Sequence, residues 1–330
     1  ELISTRSWYN QIKNMTTTMC NALAQWQALN IKYGAGNRKN SNVIRREMQE
    51  KMEIAKDAIP IWIMSADKVV EQYPYSNHPQ FDILIMDESS QSSVISFSVL
   101  LRGKKNIIVG DDKQISPISV GINVDTINAL QIKYLRDTNL GAVFDMETSI
   151  YDLAQLFCGS AKIVLKEHFR CLPEIIGFSN INFYAGEINC LKVKGKENNL
   201  GEPIKAIYVP DGTVKKTNNT IINEREVEET IKELKRIEAD ERYNEKTLGI
   251  IVLQNSNLQI NKINTEILKN FSPMFVKERK IKVGTTYDFQ GDERDVIILL
   301  MLASKTTVDG EENEIATLTK KEYCRSFNVA

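Results

Sequence analysis

The stretch FDILIMDESSQ, residues Phe81–Gln91, decides the fold of this 330-residue chain. Its apolar run has the length of a buried strand, and two consecutive acids, Asp87 and Glu88, follow directly. Because ligands of open α/β sheets bind at the carboxyl ends of the strands, both acids are expected to face a crevice. There an Asp can hold Mg²⁺ on nucleotide phosphates, and a Glu can deprotonate an attacking water. Alternatively, the acids only cap the next helix.

A second segment of the same kind begins about 20 residues later. KNIIVGDDKQISP, residues Lys105–Pro117, again places a polar loop after an apolar strand, with Gly110, Asp111 and Asp112 before Gln114. The amide of a Gln in this place both donates and accepts, so it can bind a γ-phosphate or the attacking water. By itself the loop is also an ordinary Gly/Asp turn. Two such segments at this spacing favour a nucleotide site.

Around these segments, short apolar runs alternate with amphipathic helices, which indicates a parallel sheet covered on both faces. The expected strands are 61–64, 82–86, 106–109, 162–165, 206–209, 248–253, 281–283 and 296–301. The expected helices are 91–101, 149–157, 173–184, 225–239 and 257–270. Residues 1–58 are expected to be mainly helical, around a basic loop at 34–42. Polar connectors are expected at 116–123, 191–203 and 303–317.

Composition excludes several classes of protein. With 42% hydrophobic and 26% charged residues, the chain is an ordinary globular protein rather than a disordered or collagen-like one. The net charge of −1 excludes a globally basic nucleic-acid coat, and no apolar run is long enough to cross a membrane. The five cysteines show no CxxC pair, so we expect reduced thiols, no zinc site and a cytoplasmic location.

DESSQ and GDDKQISP resemble motifs II and III of superfamily 1 helicases, which usually read DEAxQ and GDxxQLxP. The nearest branch is SF1B, with the nonsense-mediated-decay helicases, the Okazaki-fragment helicase/nucleases and their large bacterial AAA-domain relatives. Later stretches are similar to motif IV, the GVITPYxxQ strand, motif V and the first half of motif VI. They are LKEHFRCLPEIIGFSNINFY (165–184), TLGIIVLQNSNLQI (247–260), KVGTTYDFQGDERDVIILLML (282–302) and RSFNVA (325–330).

This resemblance implies an α/β fold with two RecA-like parallel-sheet domains, a P-loop NTPase helicase core whose first domain is incomplete at its N-terminal side. Residues 1–58 would be a helical segment of, or inserted in, the first domain. Residues 59–158 would form the rest of that domain, and residues 159–330 the second. Because the chain starts at Glu1 and stops within a motif, we expect it to be a piece of a longer polypeptide.

The resemblance also implies roles at the nucleotide. Asp87 would bind Mg²⁺ through water, Glu88 would be the catalytic base, and Gln114 would sense the γ-phosphate. Arg170 would contact the γ-phosphate, since a guanidinium is always charged and grips two oxygens at once. A plainer reading pairs Arg170 with Glu167 or Glu174 on a helix face.

Further residues would line the nucleotide and the nucleic-acid track. Phe169 stands where relatives have a Tyr that stacks on the base, with a place in the core as the alternative. Gln290, Gly291 and Glu293 would line the nucleotide, with Glu293 at the ribose hydroxyl or, alternatively, in a solvated turn. The candidate nucleic-acid contacts are Thr285 and Thr286. The basic runs Arg38, Lys39, Arg45, Arg46 and Lys192, Lys194, Lys196 read more simply as solvated faces.

Departures from the family pattern limit what this chain can do alone. No GxxxxGK[ST] loop occurs in it, and the TRA half of motif VI, with its arginine finger, is missing. In this family the loop would precede motif II, upstream of Glu1. The change from DEASQ to DESSQ adds one hydroxyl. We therefore expect this chain alone to be deficient in ATP hydrolysis.

The expected function is part of an ATP-dependent helicase or translocase that uses ATP and Mg²⁺. Its track would be single-stranded nucleic acid, DNA in preference to RNA, with 5′-to-3′ movement by analogy only. No membrane partner is expected, whereas a fused or associated nuclease domain would suit the family. Two alternatives stay open: a nucleic-acid-triggered ATPase switch that never unwinds, and a binding scaffold without Walker A.

Overall fold

A computed structural model describes residues 2–37, 39–117, 124–138, 141, 143–145, 147–193, 195, 200–217, 220–254, 256–308, 311–313 and 320–330. Its helices are α1 (Leu2–Asn14), α2 (Thr17–Tyr33), α3 (Ser41–Ala55), α4 (Ala66–Gln72), α5 (Phe97–Leu100), α6 (Val124–Leu135), α7 (Ile150–Cys158), α8 (Pro173–Phe183), α9 (Glu224–Ala239), α10 (Asn257–Asn270), α11 (Pro273–Glu278) and α12 (Lys321–Val329). Of the two basic runs, Arg38, Lys194 and Lys196 lie outside the described residues.

The strands form small sheets. They are β1 (Phe81–Met86), β2 (Gly103–Ile108), β3 (Glu167–His168), β4 (Asn189–Cys190), β5 (Val214–Thr217), β6 (Thr220–Ile222), β7 (Leu248–Val252), β8 (Lys282–Gly284), β9 (Val296–Leu300), β10 (Thr306–Val308) and β11 (Glu311–Asn313). The pairs β1–β2 and β3–β4 are parallel, as is the three-stranded sheet β8-β7-β9. A mixed sheet has the order β11-β10-β5-β6. The chain is therefore an α/β protein with parallel sheets, as the sequence predicts.

The chain divides into two compact units, residues 1–111 with 117–159 and residues 112–116 with 160–330. In the first unit α3 buries Ile44, Met48, Met52 and Ala55, which recur at three- and four-residue spacing along one helix face. Below β1 and β2 a small core forms around Met86, Ile150 and Leu153. The helical character expected for residues 1–58 is confirmed.

In the second unit the central strand β7 is buried along its whole length. Helices α9 and α10 begin at N-caps that the sequence provides, since Asn223 accepts from the Glu226 amide and Ser256 from the Gln259 amide. Their apolar faces pack with β7 and β9 into the largest core of the described residues. It contains Val227, Ile231, Leu234, Ile237, Leu248, Ile250, Val252, Ile263, Ile267, Phe271 and Leu300, among others.

Three expected strands are wrong. Residues 61–64, 162–165 and 206–209 make no strand pairing. Their apolar side chains stay in solvent, as at Ile63 and Ile163, which are 94% and 86% exposed. A β-forming sequence becomes a strand only when a neighbouring strand supplies hydrogen bonds and a packing surface, so propensity alone misleads here. The expected helix 91–101 is also shorter, because only α5 is α-helical there.

No helix among the described residues combines the length and apolar character that crossing a membrane requires. The expected connectors at 116–123, 191–203 and 303–317 lie partly outside the described residues.

Candidate nucleotide site

The two acids that follow β1 are exposed and held in place by their own turn. The Asp87 side chain accepts a hydrogen bond from the Glu88 amide at 2.9 Å, and Gln91 Nε2 donates to Glu88 Oε2 at 2.8 Å. Glu88 has a φ of 51°, in the left-handed region that costs a non-glycine residue free energy. The carboxylate of Glu88 is therefore fixed by Gln91 on a strained turn at the end of β1.

Two buried serines join this turn to the loop after β2. Ser89 Oγ donates to the carbonyl of Val109 at 2.6 Å, and the Asp111 amide donates to Ser90 Oγ at 3.4 Å. Ser89 and Ser90 are 0% and 4% exposed. In the sequence, the difference between DEASQ and DESSQ is a single hydroxyl. The two small hydroxyls directly after the acids were the available signal for this contact. These serines bring the Asp87 turn and the Asp111 backbone side by side.

Gly110 allows this close approach. An ideal Cβ at this position would lie 2.7 Å from Ser89 Oγ, 2.9 Å from Tyr151 Cδ2 and 3.0 Å from the Ser90 amide nitrogen. The first two distances are shorter than real Cβ contacts, and the third is tighter than most of them, so a side chain here would have to displace its neighbours. The glycine predicted as part of a polar turn is thus required by packing.

In the second unit, the segment that carries Gln114 is fastened to α12. Arg325 Nη2 donates to the carbonyl of Asp112 at 2.9 Å, and Asn328 Nδ2 donates to the carbonyl of Lys113 at 3.0 Å. Although burial opposes ionisation, the adjacent Lys113 holds the pKa of Asp112 below its usual value. The stretch RSFNVA contains Arg325 and Asn328, but the sequence did not predict either of them as a site residue. Their partners are backbone atoms more than 200 residues away, which no local pattern reveals.

Asn328 has a second anchor in the same unit. Its Nδ2 also donates to Tyr184 Oη at 3.0 Å, and the neighbouring Phe327 ring packs edge-on against Phe178 with ring centroids 5.0 Å apart. A cavity of about 130 Å³ adjoins this contact. It is lined by Asp112, Lys113, Phe183, Lys321, Cys324 and Arg325.

Two of the predicted nucleotide residues meet in the second unit. Arg170 Nη2 lies 3.2 Å from Glu293 Oε1, and both side chains are more than half exposed. The helix partners that the sequence offered, Glu167 and Glu174, are not the ones it pairs with here. Lys192 Nζ donates to the Arg170 carbonyl at 2.6 Å, which fixes the backbone at this position.

Beside Arg170, the ring of Phe169 faces solvent, whereas His168 is half-buried. Phe169 is 69% exposed, so its face is open to a stacking partner. The ring of His168 accepts a hydrogen bond from the Cys171 amide at 2.9 Å. Burial, with the charges of Arg170 and Lys192, lowers the pKa of His168. His168 is therefore a neutral hydrogen-bond acceptor with a structural role. Within the described residues, no cluster of three His, Cys, Asp or Glu side chains is placed to hold a metal ion.

The turn between β8 and β9 carries the remaining predicted residues. The Thr285 amide and hydroxyl both donate to Asp288, at 2.7 and 2.8 Å, and Gly291 adopts a φ of 71°. Thr286 is 0% exposed, and its Oγ1 has no hydrogen-bond partner among the described residues. The buried Nε2 of Gln290 likewise has none there.

Basic neighbours hold one carboxylate of this turn in its ionised form. Lys282 and, after the opposing effect of desolvation, Arg294 lower the pKa of Asp292 to about 2. The two ion pairs have N–O distances of 2.9 and 2.5 Å. Asp292 thereby closes the turn that presents Gln290 and Glu293.

Taken separately, each unit has donors of a kind that suits a Mg²⁺–nucleotide complex. In the first unit Asp87 offers exposed carboxylate oxygens, which Mg²⁺ prefers, and in the second unit Arg170 offers an exposed guanidinium of the kind that binds phosphate oxygens. Unpartnered polar atoms at Thr286 and Gln290 leave hydrogen-bonding capacity beside Glu293. A phosphate-cradling GxxxxGK[ST] loop is not encoded in the 330 residues.

A family model described as an AAA domain matches residues 146–330, which is more than half of the chain. The chain belongs to this AAA-domain family. The matched region of this AAA-domain chain carries Arg170, Gln290, Glu293 and α12, whereas Asp87 and Glu88 precede it.

Curated relatives resemble this AAA-domain chain over most of its length. It is 24% identical to the uncharacterized ATP-dependent helicase MG140 of Mycoplasma genitalium, over 89% of this chain and 26% of the relative. It is 24% identical to the mouse 5′-3′ DNA helicase ZGRF1, over 75% of this chain and 13% of that protein. A Mycoplasma pneumoniae homologue of MG140 is 22% identical, over 82% and 24%. The chain thus spans about a quarter or less of each of these relatives.

Proposed function

We propose that this AAA-domain chain is part of an ATP-dependent helicase or translocase of superfamily 1, in the SF1B branch, that moves on single-stranded nucleic acid. The observation that carries the proposal is the turn after β1, where Asp87 and Glu88 are exposed and hydrogen-bonded in fixed positions. Membership of the AAA-domain family and relatives named ATP-dependent helicases support the same reading. The domain division at 58/59 and 158/159 belongs to this proposal.

Each predicted residue has a chemical task in the proposed reaction. Bound Mg²⁺ would supply charge neutralisation at the phosphates, with Asp87 holding it through water. Glu88 accepts the proton of the attacking water, in a position fixed by Gln91. Gln114 senses the γ-phosphate, and its segment is fixed by Arg325 and Asn328.

In the second unit, Arg170 contacts the γ-phosphate once it releases Glu293. The exposed Arg170–Glu293 pair is weak and screened by water, so a phosphate competes with it at little cost. Phe169 stacks on the base, and Gln290, Gly291 and Glu293 line the nucleotide. Thr285 and Thr286 contact the strand; because the Thr286 side chain is buried, its backbone is the group available for this.

The proposed track is single-stranded DNA in preference to RNA, and the named activity of ZGRF1 supports DNA. The proposed setting is cytoplasmic, with a nuclease domain in the same or an associated protein. This chain by itself is proposed to lack efficient ATP hydrolysis, because it encodes neither the phosphate-cradling loop nor the TRA half of motif VI.

The test is ATP turnover by the longest natural form of this protein and by the 330-residue chain, with and without (dT)30 or (rU)30. We expect turnover by the longer form to rise with one polymer, to fall at least about 100-fold in Glu88→Gln and to be absent from the short chain. Asp82→Asn is the matched control, because Asp82 is an exposed acid in β1 that only pairs with Lys104. Its turnover should equal that of the parent.

Four results would contradict parts of this proposal. Equal turnover in Glu88→Gln would remove Glu88 as the base, and turnover by the short chain would remove the claimed deficiency. Stimulated turnover without displacement of a duplex strand would identify a nucleic-acid-triggered switch instead of a helicase. No turnover under any condition would leave a binding scaffold.

A further inference from the structure

Basic residues are concentrated in the first helices. Residues 1–46, here called the basic arm, contain seven lysines and arginines but a single acid, Glu1. The whole chain carries a net charge of −1, so the rest of the molecule is net acidic. Such an asymmetry within a nearly neutral chain indicates a local site for a polyanion. The basic residues are Arg6, Lys13, Lys32, Arg38, Lys39, Arg45 and Arg46.

Helix α1 arranges part of this charge as a stripe with an aromatic ring inside it. At about 100° per residue, Arg6, Tyr9 and Lys13 lie within about 60° of one another on one face. All three side chains are exposed, Tyr9 by 66%, and α1 buries none of its residues. The polar residues Thr5 and Asn10 border a shallow groove with Arg6 and Tyr9.

The cations of this stripe differ from the paired cations on α9. Among the described residues, neither Arg6 nor Lys13 has an ion-pair partner. On α9, in contrast, Arg225 pairs with Glu228 at 2.7 Å, and Lys232 pairs with Glu229. Because no carboxylate competes for them, Arg6 and Lys13 can bind an external anion without breaking an existing contact.

We propose that α1 is a binding site for single-stranded nucleic acid, in which Arg6 and Lys13 contact phosphates and Tyr9 stacks on a base between them. The two cations are about 10 Å apart along the helix. A stacked strand presents about three phosphates over that distance, at about 3.4 Å each. The proposal rests on the proposed function only in that nucleic acid is the expected track.

The distribution of apolar residues on α1 favours a strand over a lipid surface. A helix that lies in a membrane interface gathers its apolar residues on one face. In α1 the apolar residues Leu2, Ile3, Trp8 and Ile12 spread over about 220° of the helix circumference, and Arg6 and Lys13 lie inside that arc instead of on an opposite polar face. Trp8, which is 63% exposed, adds a second aromatic surface of the kind on which bases stack.

The test is binding of fluorescein-labelled (dT)20 to this 330-residue chain, measured by anisotropy in EDTA without nucleotide between 50 and about 200 mM KCl. We expect Arg6→Gln with Lys13→Gln to weaken binding about tenfold or more and to reduce the slope of log K against log salt by about 1.4. Tyr9→Ala should weaken binding at least about fivefold, while Tyr9→Phe should bind like the parent.

Arg225→Gln with Lys232→Gln is the matched control, because it removes the same charge from exposed positions on another helix. Equal weakening by both double variants, or no effect of Tyr9→Ala, would overturn the proposal. Sedimentation with phosphatidylserine vesicles that depends on Arg6 and Lys13, combined with unchanged (dT)20 binding, would overturn it in favour of a membrane contact. Circular dichroism checks that each variant folds. Because no ATP is present in this binding assay, its result does not depend on whether Glu88 is the catalytic base.

Discussion

At the scale of single residues, Gly110 and Glu226 show how packing and burial set properties that no motif encodes. Gly110 lies where the loops after β1 and β2 touch, with the Ser90 backbone among its closest neighbours. Glu226 lies at the start of α9, where Oε1 accepts from the Leu302 amide at 3.2 Å. Its buried Oε2 has no hydrogen-bond partner among the described residues.

Gly110→Ala is expected to lower the free energy of unfolding by about 1–3 kcal/mol, because a Cβ would press on Ser89, Tyr151 and the backbone of Ser90. Urea unfolding followed by circular dichroism at 222 nm, which reports the helices of both units, measures this. Gly177→Ala is the control: an added Cβ in α8 meets nothing within 4 Å, so helix propensity should raise stability by up to about 1 kcal/mol. The same sign of change in both variants would contradict the packing argument.

Burial raises the pKa of Glu226 to about 7. Between its ordinary pKa and about 7, the folded chain keeps a proton that the unfolded chain has released, so stability falls as the pH rises through this window. The loss amounts to about 3 kcal/mol at most. Asp240 and Asp292, whose pKa values are about 2, titrate below it.

The variant Glu226→Gln removes this titration. We expect its free energy of unfolding, measured by urea and circular dichroism, to decrease less between pH 5 and pH 8 than that of the parent. At pH 8 the variant should be the more stable protein, because no charge is buried there. Parallel pH dependences would show that Glu226 is solvated in the folded chain.

At the scale of elements, α12 fixes the segment 112–116 of the same unit through hydrogen bonds to its backbone. Arg325 and Asn328 each donate to a backbone carbonyl of that segment, and Phe327 packs on Phe178 of α8. Hydrogen bonds from a charged donor to a carbonyl are among the stronger ones. The position of Gln114 therefore depends on a helix near the end of the chain.

Arg325→Ala is expected to speed amide hydrogen exchange in residues 113–116 about tenfold or more, since one such bond is worth about 1.5–3 kcal/mol. Exchange followed by mass spectrometry on peptides of this segment measures the effect. Lys321→Ala is the control, because Lys321 is exposed on the same helix and makes no contact with the segment's carbonyls. Equal exchange rates in the parent, Arg325→Ala and Lys321→Ala would show that the hydrogen bond of Arg325 does not hold this segment.

At the scale of the whole molecule, the two units differ in the size of their cores. Among the described residues, the second unit contains fifteen buried apolar residues in one cluster, whereas the first divides most of its smaller set between the cluster of three under β1 and β2 and the buried face of α3. Stability grows with the apolar area buried, so the first unit should be the weaker one. All three tryptophans, Trp8, Trp26 and Trp62, belong to the first unit.

Thermal unfolding should therefore show two helical transitions by circular dichroism at 222 nm, since both units contain helices, and the tryptophan fluorescence transition should coincide with the one at lower temperature. The reason is that fluorescence reports the first unit alone, while α9 and α10 dominate the helical signal of the second. A single transition with the same midpoint in both signals would indicate one cooperative molecule instead. A fragment of residues 160–330, which lacks tryptophan, serves as the reference for the upper transition.

Local sequence pattern predicts the α/β class, β1, β2, β7, β8 and β9, and the helices α7–α10, because apolar spacing and N-caps such as Ser149 act within a few residues. It also predicts the turn at Asp87 and Glu88, whose fixing partner, Gln91, is three residues away. These features need no information about distant parts of the chain. The roles assigned to the site residues remain predictions.

Only the tertiary structure decided which distant groups meet. The apolar runs 61–64, 162–165 and 206–209 did not become strands, because a strand exists only with a partner and sequence pattern does not name one. The joining of Ser89 to Val109, of Arg170 to Glu293 and of Arg325 to Asp112 links residues from 20 to 213 positions apart. Such contacts depend on how whole elements pack, and that packing is a property of the folded chain rather than of any local stretch.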